Sequence, residues 1–140
     1  MSDQTVAFFD STFEEALALT REAREYLTNR DPGERKEMSP GDRMAMSCET
    51  MRLTSRLTQI MAWLMVQKAV HAGEMTREEA RAPEFRLSGK AVCEETSPPV
   101  EGVTLQPRLN ELLDRSHRLY ERVARLDAMQ ERSSRPALQE

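Results

Sequence analysis

The chain has 140 residues, 39% of them hydrophobic and 31% charged, with a net charge of −4. That length fits a single domain of ordinary size, and five glycines with 5% aromatics argue against a β-sandwich or barrel. The acidic balance argues against general nucleic-acid binding and against an anionic membrane surface, both of which draw on Lys and Arg. Leu, Met, Ala, Glu and Arg, all good helix formers, point to an all-α protein.

The opening MSDQTVAFFDSTFEE is acidic and lacks the basic start and apolar core of a signal peptide. Residues 1–9 read as a frayed arm, and Ser11-x-x-Glu14 reads as a capping box that starts the first helix. Phe13, Ala16, Leu17, Thr20, Ala23 and Leu27 then recur at helical steps as one buried stripe. Glu15, Arg21, Glu22 and Glu25 take the opposite face. Asp31-Pro32-Gly33 ends the helix, and Glu34 to Met38 is a polar connection.

Ser39-Pro40 supplies a cap followed by proline at the first helical position, and no breaker appears until Gly73. The second helix therefore spans most of the domain. Its later half, LTQIMAWLMVQKAV, is apolar nearly all round, as a helix buried on several sides requires. The longest unbroken apolar run, Ile60 to Val66, is far too short for a bilayer. Thr76-x-x-Glu79 opens a short helix that Pro83 stops. Residues 84–105 lack a helical period, contain Pro98-Pro99, and are expected to form a mobile loop.

The third helix starts near Pro107. Leu109, Leu112, Ser116, Leu119, Val123 and Leu126 step alternately by three and four, a seam for packing beside another helix, widened by Leu113 and Tyr120. The expected architecture is an antiparallel three-helix bundle over residues 1–130, with helices at about 11–29, 40–72 and 107–130 and a disordered tail at 131–140.

No chemistry-bearing constellation emerges. His71 and His117 lack a nitrogen or sulfur partner at helical spacing, so no metal site is assigned. Cys48 reads as a small buried thiol, and Cys93 as a loop thiol whose pKa Glu94 and Glu95 raise; neither has a supporting base. No phosphate loop or paired-carboxylate motif is present, so no catalytic residue or cofactor is assigned either. Two surface readings remain. Arg115, Arg118, Arg122 and Arg125 line one side of the third helix, either as a solvated face laced by i,i+4 pairs or as a docking stripe for an acidic partner. Met44, Met51, Met61 and Met65 fill the core or form an adaptable groove, and Met61, Trp63 and Met65 are the candidates for a dimer or partner interface.

Residues 49–76, ETMRLTSRLTQIMAWLMVQKAVHAGEMT, closely resemble the core of the alphaproteobacterial regulator-of-CtrA-degradation (RcdA) family. The resemblance rests on Met51-Arg52-Leu53-Thr54, Arg56-Leu57, Trp63-Leu64, Gln67, Ala69-Val70 and Gly73-Glu74-Met75. A second match, in residues 112–127, includes Arg115-Ser116, Arg118-Leu119, Arg122-Val123 and Leu126-Asp127. It implies a dimeric helical adaptor, without catalysis of its own, that helps the ClpXP protease degrade selected cell-cycle regulators. Implied partners are ClpX reached through a receiver-domain primer (CpdR-like), protein substrates such as CtrA, and a cyclic-di-GMP effector protein. Neither nucleic acid nor membrane is a direct partner in this reading. A cytoplasmic location, with recruitment to a cell pole, goes with it. The alternatives are a nucleic-acid-associated helical regulator using the arginine stripe, or a purely structural helical dimer.

Overall fold

A computed structural model describes residues 3–30, 32–96 and 103–134. Three long helices dominate: α1 (Asp3–Thr28), α3 (Pro40–His71) and α6 (Pro107–Ser134). A short α2 (Pro32–Glu37) joins the first two. Between α3 and α6 lie α4 (Arg77–Ala80), a 3₁₀ turn (Pro83–Phe85) and α5 (Lys90–Cys93). Among the described residues there is no strand.

Local chemistry sets several of these ends. The Ser39 hydroxyl accepts the Asp42 N–H at 3.1 Å, and Pro40 fills the first turn of α3. At the other end Gly73 adopts φ 79° while its N–H and that of Glu74 bond the Val70 and Ala69 carbonyls. That is a Schellman stop, which needs a residue at ease with positive φ. Thr76 and Glu79 form the reciprocal capping box that opens α4.

The first helix begins two turns earlier than Ser11. Phe9 is buried against Trp63 and His71, and Thr12 bonds back to the Phe8 carbonyl, so residues 3–10 join the bundle as helix. Tertiary packing overrides the capping signal. The buried stripe is also turned, running through Phe9, Thr12, Ala16, Leu19 and Ala23, with Leu17 only half-buried. On α6 the seam residues Leu109, Leu112, Ser116, Leu119 and Val123 are all buried, with Leu113 and Tyr120 beside them. This helix continues past residue 130 to Ser134; the rest of the expected tail, 135–140, lies outside the described residues, as do 97–102 of the loop.

The helix directions follow from side-chain pairings. Asp10 meets Lys68 and Phe9 meets Trp63, while Glu15 meets Arg122 and Glu22 meets Arg108. Along α3 and α6 the pairs rise together: Arg56 with Leu113, Trp63 with Asp127, Gln67 with Gln130. Thus α1 runs against both others, and α3 and α6 run in the same direction. This corrects an antiparallel bundle throughout. Two parallel neighbours need a return path about as long as the helices, some 45 Å, and residues 72–106 provide it. The described residues of that segment, 72–96 and 103–106, form a crossover that belongs to the fold.

Candidate protein-interaction surfaces

The crossover is held by buried polar groups. Arg56, 2% exposed, donates from Nε to the Cys93 carbonyl (2.8 Å), from Nη1 to the Leu113 carbonyl (2.9 Å) and from Nη2 to the Glu95 carbonyl (2.9 Å). Burial pushes its pKa down, and the carbonyl dipoles keep the cation satisfied without a carboxylate. Arg86 grips Asp127 with two bonds of 2.8 Å, and the Trp63 indole donates to the same carboxylate at 3.0 Å. Tyr120 donates to the Ser88 carbonyl, and the Gln59 amide oxygen accepts both the Ser88 N–H and hydroxyl. The expected mobile loop is therefore pinned over residues 86–95. Cys93 is fully buried and Cys48 is exposed on α3, the reverse of the burial expected from the sequence; the Cys93 thiol pKa is raised as expected, though chiefly by burial.

The arginine stripe divides by role. Arg115 forks onto Glu22 at 2.7 and 2.8 Å, and Arg122 reaches Glu15 at 2.7 Å, so both lock α6 to α1. Arg108 joins Arg115 at Glu22, and these hydrogen bonds hold the Glu22 pKa at about 2. Arg118 makes an exposed pair with Asp114, and Arg125 has no ion pair among the described residues. Of the expected i,i+4 pairs, Glu111–Arg115 and Asp114–Arg118 form; Glu121 instead approaches His117.

The interface candidates on α3 also separate. Trp63 is 2% exposed and bonded to Asp127, so it is a core residue, and Met61 packs partly buried against the core. Met65 is exposed, as are Met44 and Met51. These methionines belong to a longer feature that sequence reading missed. Met44, Cys48, Met51, Ser55, Thr58, Ala62, Met65 and Ala69 step alternately by four and three, every one exposed or half-buried. None is charged. The stripe runs roughly 40 Å along the helix, with the spacing of a coiled-coil seam. In a chain 31% charged, an uncharged strip of that length is the signal that would have found it.

Among the described residues no three His, Cys, Asp or Glu side chains gather as metal ligands would, and no helix is long and apolar enough to cross a membrane.

A family model described as protein of unknown function (DUF1465) matches residues 2–140. The crystal structure of RcdA from Caulobacter crescentus CB15 matches with 38% sequence identity and a TM-score of 0.69, covering 87% of this chain and 89% of that one. The chain belongs to the RcdA family. No curated protein matches it. Several residues that carry the RcdA resemblance, namely Arg56, Trp63, Gln67, Ser116 and Asp127, form the buried polar links between α3, the crossover and α6. These RcdA-like residues build the scaffold.

Proposed function

We propose that this protein is a proteolytic adaptor that helps deliver cell-cycle regulators, CtrA-like transcription factors among them, to the ClpXP protease. It acts with a receiver-domain primer of the CpdR type on ClpX and a cyclic-di-GMP effector protein, in the cytoplasm and at a cell pole, and catalyses nothing itself. The observation that carries this reading is the 38% identity to RcdA over 87% of the chain. The architecture is compatible with it: a pinned bundle that holds exposed helix faces in fixed relation. Such a protein works by tethering, which replaces a chance encounter with an effective concentration on the order of millimolar.

The uncharged α3 stripe is the surface we assign to homodimerisation. Two copies pairing along it bury methionines and small residues that are otherwise in water. Of the sequence candidates Met65 takes part, and Met61 lies at its edge. The nucleic-acid reading loses ground, because Arg115 and Arg122 are engaged with α1 carboxylates. The test is degradation of a CtrA-like substrate by purified ClpXP and primer. Faster turnover with this protein present supports the reading, and unchanged turnover sinks it.

A further inference from the structure

Where the first turns of α1 lie against the last turns of α6, a groove of about 480 Å³ opens, lined by Phe8, Leu126 and Met129 with Gln4 at its end. Phe8 is 44% and Met129 54% exposed, so two large apolar side chains face water in a region unconnected with the α3 stripe. By helical spacing, a line of arginines runs along α6 beside Met129, on the outer side of the groove. Arg118, Arg125 and Arg132 follow one another at seven-residue intervals, one line along α6 about 10.5 Å apart, and Met129 sits between the last two at helical spacing. Neither Arg125 nor Arg132 has an ion pair among the described residues, and both are exposed. Three carboxylates of α1 and α6 are engaged elsewhere, Glu15 with Arg122, Glu121 with His117 and Glu131 with Arg86. The Asp114 partner of Arg118 is an exposed pair, readily exchanged.

We propose that this groove docks an acidic amphipathic helix of a partner protein, its apolar side chains against Phe8, Leu126 and Met129 and its carboxylates against Arg125 and Arg132. An interhelical groove of this form receives the apolar face of a helix. Carboxylates repeated once per two turns on the docked helix match the spacing of the arginine lip. A second copy of this chain fits poorly, since a two-fold pairing would set the same cationic lips against each other. The inference rests on the adaptor reading only in that it names a partner chemistry, and its test needs no protease.

The test titrates the full chain with a fluorescent helical peptide carrying leucines on one face and glutamates beside them, and with a lysine version of the same length. Saturable binding of the acidic peptide is expected, with weaker binding of the lysine version. It should weaken at least about tenfold in an Arg125→Glu/Arg132→Glu variant and in Met129→Asp. Arg24→Glu, an exposed charge reversal on α1 several turns from the groove, should bind as the parent does. All these positions are exposed, and helical circular dichroism checks that each variant is folded. Equal binding of both peptides, no binding at all, or insensitivity to the arginine reversals would overturn the proposal. So would binding to phosphatidylglycerol vesicles that the arginines control while the peptide stays free. Loss of peptide binding alongside intact stimulation of ClpXP separates failure of this inference from failure of the adaptor reading.

Discussion

Arg56 shows how much of this fold hangs on a single side chain. It joins α3 to the crossover through the Cys93 and Glu95 carbonyls and to α6 through that of Leu113. Arg56→Met should leave those carbonyls unpaired and destabilise the protein by about 3 kcal/mol, measured by urea unfolding. Amides of residues 88–96 should lose hydrogen-exchange protection first. Arg56→Lys should recover little, since an ammonium cannot span three divergent acceptors with a planar fork. Glu22 governs a pH effect. Arg115 and Arg108 lower its folded pKa to about 2, so its contribution is full above the ordinary carboxylate range and fades as pH falls toward that value. Because the pair is partly exposed, the effect is modest and shrinks with salt. Glu22→Gln should flatten the acid limb of a stability–pH curve, most clearly at low ionic strength. Neither role was legible in the sequence. An arginine in an apolar helix and a glutamate on a polar face acquire partners only from the chain path. The two cysteines follow the same rule: neither the helical position of Cys48 nor the loop composition around Cys93 says which neighbour covers it.

At the scale of elements the sequence was most readable where one periodic pattern met one packing partner. The α6 seam and the caps of α3 and α4 are of this kind. The start of α1 was misplaced because Phe9 gains its helix-extending contacts from Trp63 and His71, far away in sequence. On α3 the reading of a helix apolar all round concealed two distinct faces. One is core, with Leu53, Ile60 and Leu64 fully buried; the other is the exposed stripe with Met51 68% exposed. Stripe residues contribute little to the monomer, so at concentrations low enough to dissociate the parent Met51→Lys should leave unfolding within about 0.5 kcal/mol of it. It should nevertheless shift sedimentation from dimer to monomer at micromolar concentration. A variant still dimeric would remove the stripe from the interface.

For the whole molecule, topology is what the sequence hid. A long segment without helical period reads as a mobile loop, yet here it returns the chain along the bundle so that α6 can lie parallel to α3. It is fastened by Arg56, Arg86, Gln59 and Tyr120 on the way. Those anchors need partners from three elements, and no local pattern announces them. The family, in contrast, was visible in two segments, because the residues that fasten the bundle are concentrated there. A scaffold fixed in this way holds the two proposed surfaces, the α3 stripe for a second copy and the α1–α6 groove for a partner helix, in constant relation to each other. The adaptor claim is tested most directly by following a CtrA-like substrate in purified ClpXP with its receiver-domain primer, with and without this protein. Substrate should be lost faster when the protein is added, and the rate should return to basal when a non-degraded substrate copy competes for it. Identical rates under all three conditions would contradict the adaptor claim.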